Sequence, residues 1–195
     1  MKKFLISKKI FFFFGSYLLV ALGGIFIVAF FSSDTNHILQ EKIISLYSSY
    51  QSGSISSFSS FGSSIFQNAI LSLILWVLGV SVFGGFLLYP FSLIQTFSCF
   101  VELTSLFLHF SSISFLFFFL YSFLLLFNLF LLVFLCYMGC HYSYFIFQLL
   151  FLKRSFSVSR ITKKYFQLFL FVLLGNIISS VLEVYLIPFI LTFFS

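Results

Sequence analysis

The sequence predicts an all-α, polytopic integral membrane protein with about five transmembrane helices, and three observations carry that prediction. Charged residues make up only 7% of the 195 and apolar ones 62%, whereas about a quarter of a soluble domain is charged. Several apolar runs reach the roughly 20 residues that a helix rising about 1.5 Å per residue needs to cross a hydrocarbon core near 30 Å thick. Nine of the ten Lys and Arg residues form two clusters: Lys2, Lys3, Lys8 and Lys9 before the first run, and Lys153, Arg154, Arg160, Lys163 and Lys164 before the last. Clustering of this kind is the signature of charges that fix topology.

The chain reads as a single membrane domain, residues 1–195. The first span covers 10–31, about 22 residues, longer than the 7 to 15 of a signal-peptide core. The following "FIVAFFSSDT" lacks a small-residue cleavage site, so the run is expected to be a retained anchor. An outer loop, 32–64, follows. Within it Asp34 or Thr35 is placed to cap a helix, and Leu39, Ile43, Leu46 or Tyr47, and Tyr50 recur every three to four residues with Gln40, Glu41 and Lys42 opposite. That spacing predicts a short amphipathic helix on the outer leaflet or against a partner. The Ser/Gly-rich "SSYQSGSISSFSSFGSS" after it reads as a linker.

Three further spans are expected at 65–88, 91–110 and 113–139, then a basic cytoplasmic loop at 140–165 and a last span at 166–193. Four crossings separate the two basic clusters, which places both on one face. The positive-inside rule makes that face cytoplasmic, with the N-terminus inside and the C-terminus outside. A six-span alternative would need a tight turn at "GCHYSY" and would put the clusters on opposite sides.

The net charge of +6 does not imply nucleic acid, because the basic residues are not laid along a groove with aromatics to stack bases. They are expected to meet anionic membrane lipid. Cys99, Cys136 and Cys140 have no metal-ligand spacing and read as apolar fillers without a disulfide. His37, His109 and His141 form no ligand set, Asp34 is the sole Asp, and no phosphate-cradling glycine loop is present. The expectation is a protein that is not an enzyme, with no catalytic, metal or cofactor residues.

Polar residues inside the spans therefore need an account, since a charge at the bilayer centre costs about 2.5 to 3.5 kcal/mol even on insertion scales. Glu183 lies in "SVLEVYLIP" on a stripe with Gly175 and Ser179, flanked by Asn176 and Ser180. Small residues there let a neighbouring helix approach and offer the carboxyl a donor; it is expected to be protonated, hydrogen-bonded or close to the outer head groups. In the third span Gln95, Ser98, Glu102, Ser105 and His109 are spaced 3, 4, 3 and 4, which places them on one helical face. That face is either a packing seam or the lining of a water-filled path with Glu102 and His109 as proton carriers. In the second span Ser72 and Gly79 share a face, and Gly79 and Gly84 admit a close neighbour.

Two stretches carry a family likeness. "LILWVLGVSVFGG", with Trp76, Gly79 and Gly84, and "SVLEVYLIP", with Glu183, Tyr185 and Pro188, resemble the stage II sporulation protein M family of spore-forming bacteria. The chain departs from the family pattern at Phe86, where a Pro is common. The resemblance implies a non-enzymatic scaffold in the cell membrane, at the septum between mother cell and forespore. It implies partners too: the peptidoglycan-remodelling stage II sporulation proteins D and P, held during engulfment. Under this reading Trp76, Gly79, Gly84, Gln95, Glu102, His109, Glu183, Tyr185 and Pro188 are candidates for helix packing or partner contact. The alternative is a transporter or channel subunit that uses the polar face of the third span.

Overall fold

In a computed structural model the protein is a bundle of long helices, with no strand among the described residues. The structure describes residues 2–30, 41, 44, 45, 47–50, 52, 58–108, 115–151 and 158–194. Helix α1 is Lys2–Phe30, α2 Phe58–Val80, α3 Gly84–Leu108, α4 Phe115–Phe151 and α5 Val158–Val181; a π-helical segment, Leu182–Leu186, leads into α6, Ile187–Phe194. Four stretches, Phe61–Val80, Gly84–Leu108, Phe115–Phe151 and Ile161–Ile190, are long and apolar enough to cross a membrane; Gly15–Phe30 is a shorter apolar helix.

Polar side chains are buried among the apolar ones of the interior, and the outside of the bundle is apolar. Ser72, Ser92, Thr96, Ser105, Ser143, Asn176, Ser179 and Ser180 are buried, while Leu73, Phe86, Ile94, Phe119, Phe171 and Phe189 are exposed. Water would drive such residues the other way. In lipid the exposed rings meet solvent of their own kind, and the helices associate through close packing and interhelical hydrogen bonds.

Helix α4 is the centre of the bundle, in contact with α2, α3, α5, the π segment and α6, and α1 docks on α3. The last contact depends on Gly24, where a Cβ would come within 3.0 Å of the Phe97 carbonyl oxygen and 3.2 Å of Phe100 Cβ. Two apolar clusters fill the interior. The proximal one, near the α2–α3 turn, holds Leu75, Leu88, Leu131, Leu135, Cys136 and Val172. The distal one joins Tyr50, which precedes α2, to Leu106, Phe117, Tyr121, Leu124 and Ile187.

Four expected boundaries are corrected. The break between the second and third spans lies at Ser81–Phe83, not near 88–91. Gly84 decides its position: a Cβ there would sit 1.9 Å from the Leu78 carbonyl oxygen, so glycine alone lets the chain double back so tightly. Ser81 Oγ donates to Leu78 O at 2.7 Å. From α4, Ser143 Oγ accepts the Gly85 N–H at 3.1 Å and donates to Val82 O at 2.9 Å. Pro90 instead lies within α3, where it removes the hydrogen bond to the carbonyl four residues before it without ending the helix.

The stretch expected to be a linker up to residue 64 is helical from Phe58, because tertiary contacts hold it: the Phe61 ring lies 5.3 Å from that of Tyr185. The fourth helix does not end at 139 but continues to Phe151. "GCHYSY" is uninterrupted helix, which removes the turn that six spans would need. The last helix starts at Val158 rather than 166, so the basic stretch of 140–165 is mostly helical; residues 152–157 lie outside the described residues. At about 1.5 Å per residue the 37 residues of α4 run well past a 30 Å core.

Candidate functional site

The polar side chains of the last span meet counterparts on α2 and α4. Ser64, Asn68 and Ser72 repeat at i+4 on α2 and so share one face. Against that face, Asn176 Nδ2 donates to Ser72 Oγ at 2.8 Å and to the Asn68 carbonyl at 3.3 Å. One to two turns along, Ser64 Oγ donates to Glu183 Oε2 at 2.8 Å and lies 3.1 Å from Ser180 Oγ. On the side towards α4, Ser179 Oγ donates to Asn128 Oδ1 at 2.5 Å. Gly175 brings the helices together, since a Cβ there would lie 2.7 Å from Leu131 Cδ1.

Glu183 sits in the π turn, whose wider backbone is closed by the Ile187 N–H to Leu182 O. Such turns are rare and recur where a side chain is placed for a purpose. Pro188 accounts for this one, because in a regular helix its ring would clash with the Val184 carbonyl four residues back, and the wide turn relieves that clash. Pro188 is buried, and Tyr185 is exposed against Phe61.

At the other end Trp76, Gly79 and Gly84 form one packing unit. Trp76 stacks on Phe169 at 5.0 Å and on Tyr165 at 6.0 Å, and Tyr165 stacks on Tyr142 at 4.5 Å. The Tyr165 hydroxyl donates to the Trp76 carbonyl at 3.2 Å, and Tyr142 shares a hydrogen bond with Thr162 at 2.6 Å. Gly79 is where three elements cross: a Cβ would lie 2.1 Å from Tyr165 Oη and 2.9 Å from Gly139 Cα. Gly84 makes the turn described above.

The expected polar stripe on the third span does not hold together as one lining. Ser105 is buried and donates to Val101 O at 2.8 Å, Gln95 is half-buried, and Ser98 is exposed. Glu102 accepts the Tyr121 hydroxyl at 2.8 Å, and His109 lies outside the described residues. Sequence reasoning missed the buried stripe on this helix, Ser92 and Thr96. Ser92 is hydrogen-bonded to Tyr17 of α1, and Tyr89 donates to Ser16 Oγ at 2.7 Å. It also missed Ser64 and Asn68, whose i+4 spacing with Ser72 was the available signal. The three cysteines are free thiols.

No family model, curated protein or solved structure matches the chain.

Proposed function

We propose that this chain is a non-catalytic scaffold of the cell membrane, with five crossings, its N-terminus cytoplasmic and its C-terminus outside. The observation that carries the reading is the pairing of intramembrane polar side chains with one another across helices, above all Ser64 with Glu183 and Asn176 with Ser72. Side chains matched in this way act as glue between helices. The exposed Ser98 beside the buried Ser105 weighs against a continuous water path along α3, and so against the transporter or channel reading.

The likeness of Trp76, Gly79, Gly84, Glu183, Tyr185 and Pro188 to stage II sporulation protein M supports a place at the sporulation septum, holding the peptidoglycan-remodelling proteins D and P. Affinity capture of the tagged chain from sporulating membranes tests this. Co-purification of either protein is expected, and recovery of the intact chain without both refutes that assignment. If Glu102→Gln abolishes an ion or solute flux while leaving assembly intact, the transporter reading replaces it.

A further inference from the structure

Acidic and basic residues are sorted to opposite ends of the bundle. The four acids are Asp34, Glu41, Glu102 and Glu183, and residues 103–182 contain none. Glu102 is bonded to Tyr121 near the start of α4, and Glu183 to Ser64 near the start of α2, so both belong to the distal end. Glu41 precedes Tyr47 and Tyr50, which pack at that same end. Five cations fall between 153 and 164, and of these Lys163 and Lys164 are exposed on the first turns of α5. Glu183 comes nineteen residues after Lys164, roughly 28 Å along a helix, against a screening length of about 8 Å. Glu102 and Glu183 are therefore too distant to neutralise these lysines.

The basic end also presents apolar side chains. Ser143 is level with the α2–α3 turn, which it braces through Gly85 and Val82. Helix α4 runs on for eight more residues, about 12 Å, with Tyr144, Phe147, Leu150 and Phe151 exposed. Helix α5 lies alongside, with Tyr165 stacked on Tyr142 at 4.5 Å and Thr162 hydrogen-bonded to it at 2.6 Å. Lys163, Phe166 and Leu170 are spaced three and four apart, which puts them on one face of α5, and all three are exposed. The Phe166 ring lies 6.1 Å from that of Trp76. Cation, ring and aliphatic chain thus follow one another along that face in the order of a phospholipid's charged head group and acyl chain. Rings at head-group level, with lysines reaching past them, are how membrane helices end at the interface.

We propose that this end of α5 is a seat for an anionic phospholipid, its phosphate against Lys163 and Lys164 and an acyl chain along Phe166 and Leu170 beside Trp76. Charge selects the head group: a zwitterionic lipid brings its own cation, whereas an anionic one supplies the negative charge that this end of the chain lacks. Position selects lipid over an acidic protein, because the face that starts at Lys163 continues without a break into the exposed apolar side of the span, through Phe166, Leu170 and Leu174. The inference rests on the helical membrane bundle alone. It holds for a scaffold or a transporter subunit and for either orientation in the membrane, so its failure leaves those readings untouched.

Trp76 is the sole tryptophan, which makes it a native reporter of the lipid beside Phe166. The full chain is reconstituted in phosphatidylcholine bilayers that contain an equal mole fraction of either brominated phosphatidylglycerol or brominated phosphatidylcholine, and quenching of its fluorescence is compared. Phosphatidylglycerol is expected to be enriched at Trp76 about fivefold over phosphatidylcholine, the equivalent of about 1 kcal/mol for one lysine. Lys163→Gln combined with Lys164→Gln should bring the two lipids to parity, whereas the paired change to Arg, and Lys2→Gln with Lys3→Gln in the other basic cluster, should keep the preference. Equal quenching by the two lipids in the wild type overturns the proposal, and so does a preference that survives the paired change to Gln. If that variant fails to fold, salt decides on the wild type: a preference lost as NaCl rises supports the seat, and one that persists refutes it.

Discussion

Glu183 shows how a costly residue is accommodated. The donor on Ser64 and the adjacent Ser180 make the carboxylate part of a helix contact rather than a charge facing lipid. Glu183→Ala should therefore destabilise the bundle by about 1 to 3 kcal/mol, since it leaves the Ser64 hydroxyl without its carboxylate acceptor, and Glu183→Gln by less; thermal unfolding in detergent measures both. Gly79 is the steric counterpart. Gly79→Ala should cost about 1 to 3 kcal/mol through overpacking against the Tyr165 hydroxyl and Gly139, and adding Tyr165→Phe, which removes the closest atom, should recover part of the loss. The need for small residues at 79, 84 and 175 was legible in the sequence. What each one touches was not, because spacing along one helix does not name the face of the next.

At the scale of elements the helices were legible but their ends were less so. Apolar length alone located every long helix, whereas the break expected between 88 and 91 falls at Ser81–Phe83, just before Gly84, and Pro90 lies within a helix. A proline costs a helix one hydrogen bond, which a packed membrane helix tolerates, and a turn fitted within 1.9 Å of a carbonyl oxygen tolerates only glycine. Substituted-cysteine labelling, in a background with Cys99, Cys136 and Cys140 replaced, checks this: Ser81→Cys should react with a water-soluble maleimide, and Leu88→Cys, at a fully buried position, should not. Ser143 was invisible as a turn anchor because it lies about 60 residues from the turn it braces. Ser143→Ala should lower stability by about 1 to 3 kcal/mol by stranding the Gly85 N–H. The π turn left one trace in the sequence, Pro188, and no spacing rule reads a single proline as a wide turn.

For the molecule as a whole, composition and charge clustering were enough to read a helical membrane bundle, because 7% charged residues leave no other way to be solvated. The arrangement of the helices around α4 was not legible, since nearly every face of that helix is apolar and periodicity cannot pick out its neighbours. Five crossings with both basic clusters inside predict that a reporter active only outside the cytoplasm works when fused after residue 50 and fails when fused after residue 155. Activity at both positions would refute that topology.

The central claim is that polar side chains within the membrane join helices of this chain to one another. A double-mutant cycle of Ser64→Ala and Glu183→Ala, measured as unfolding free energy in bilayer-like micelles, tests it most directly. A favourable coupling of about 0.6 to 1.7 kcal/mol is predicted, the range found for interhelical hydrogen bonds in membranes. Strict additivity of the two substitutions would contradict the claim.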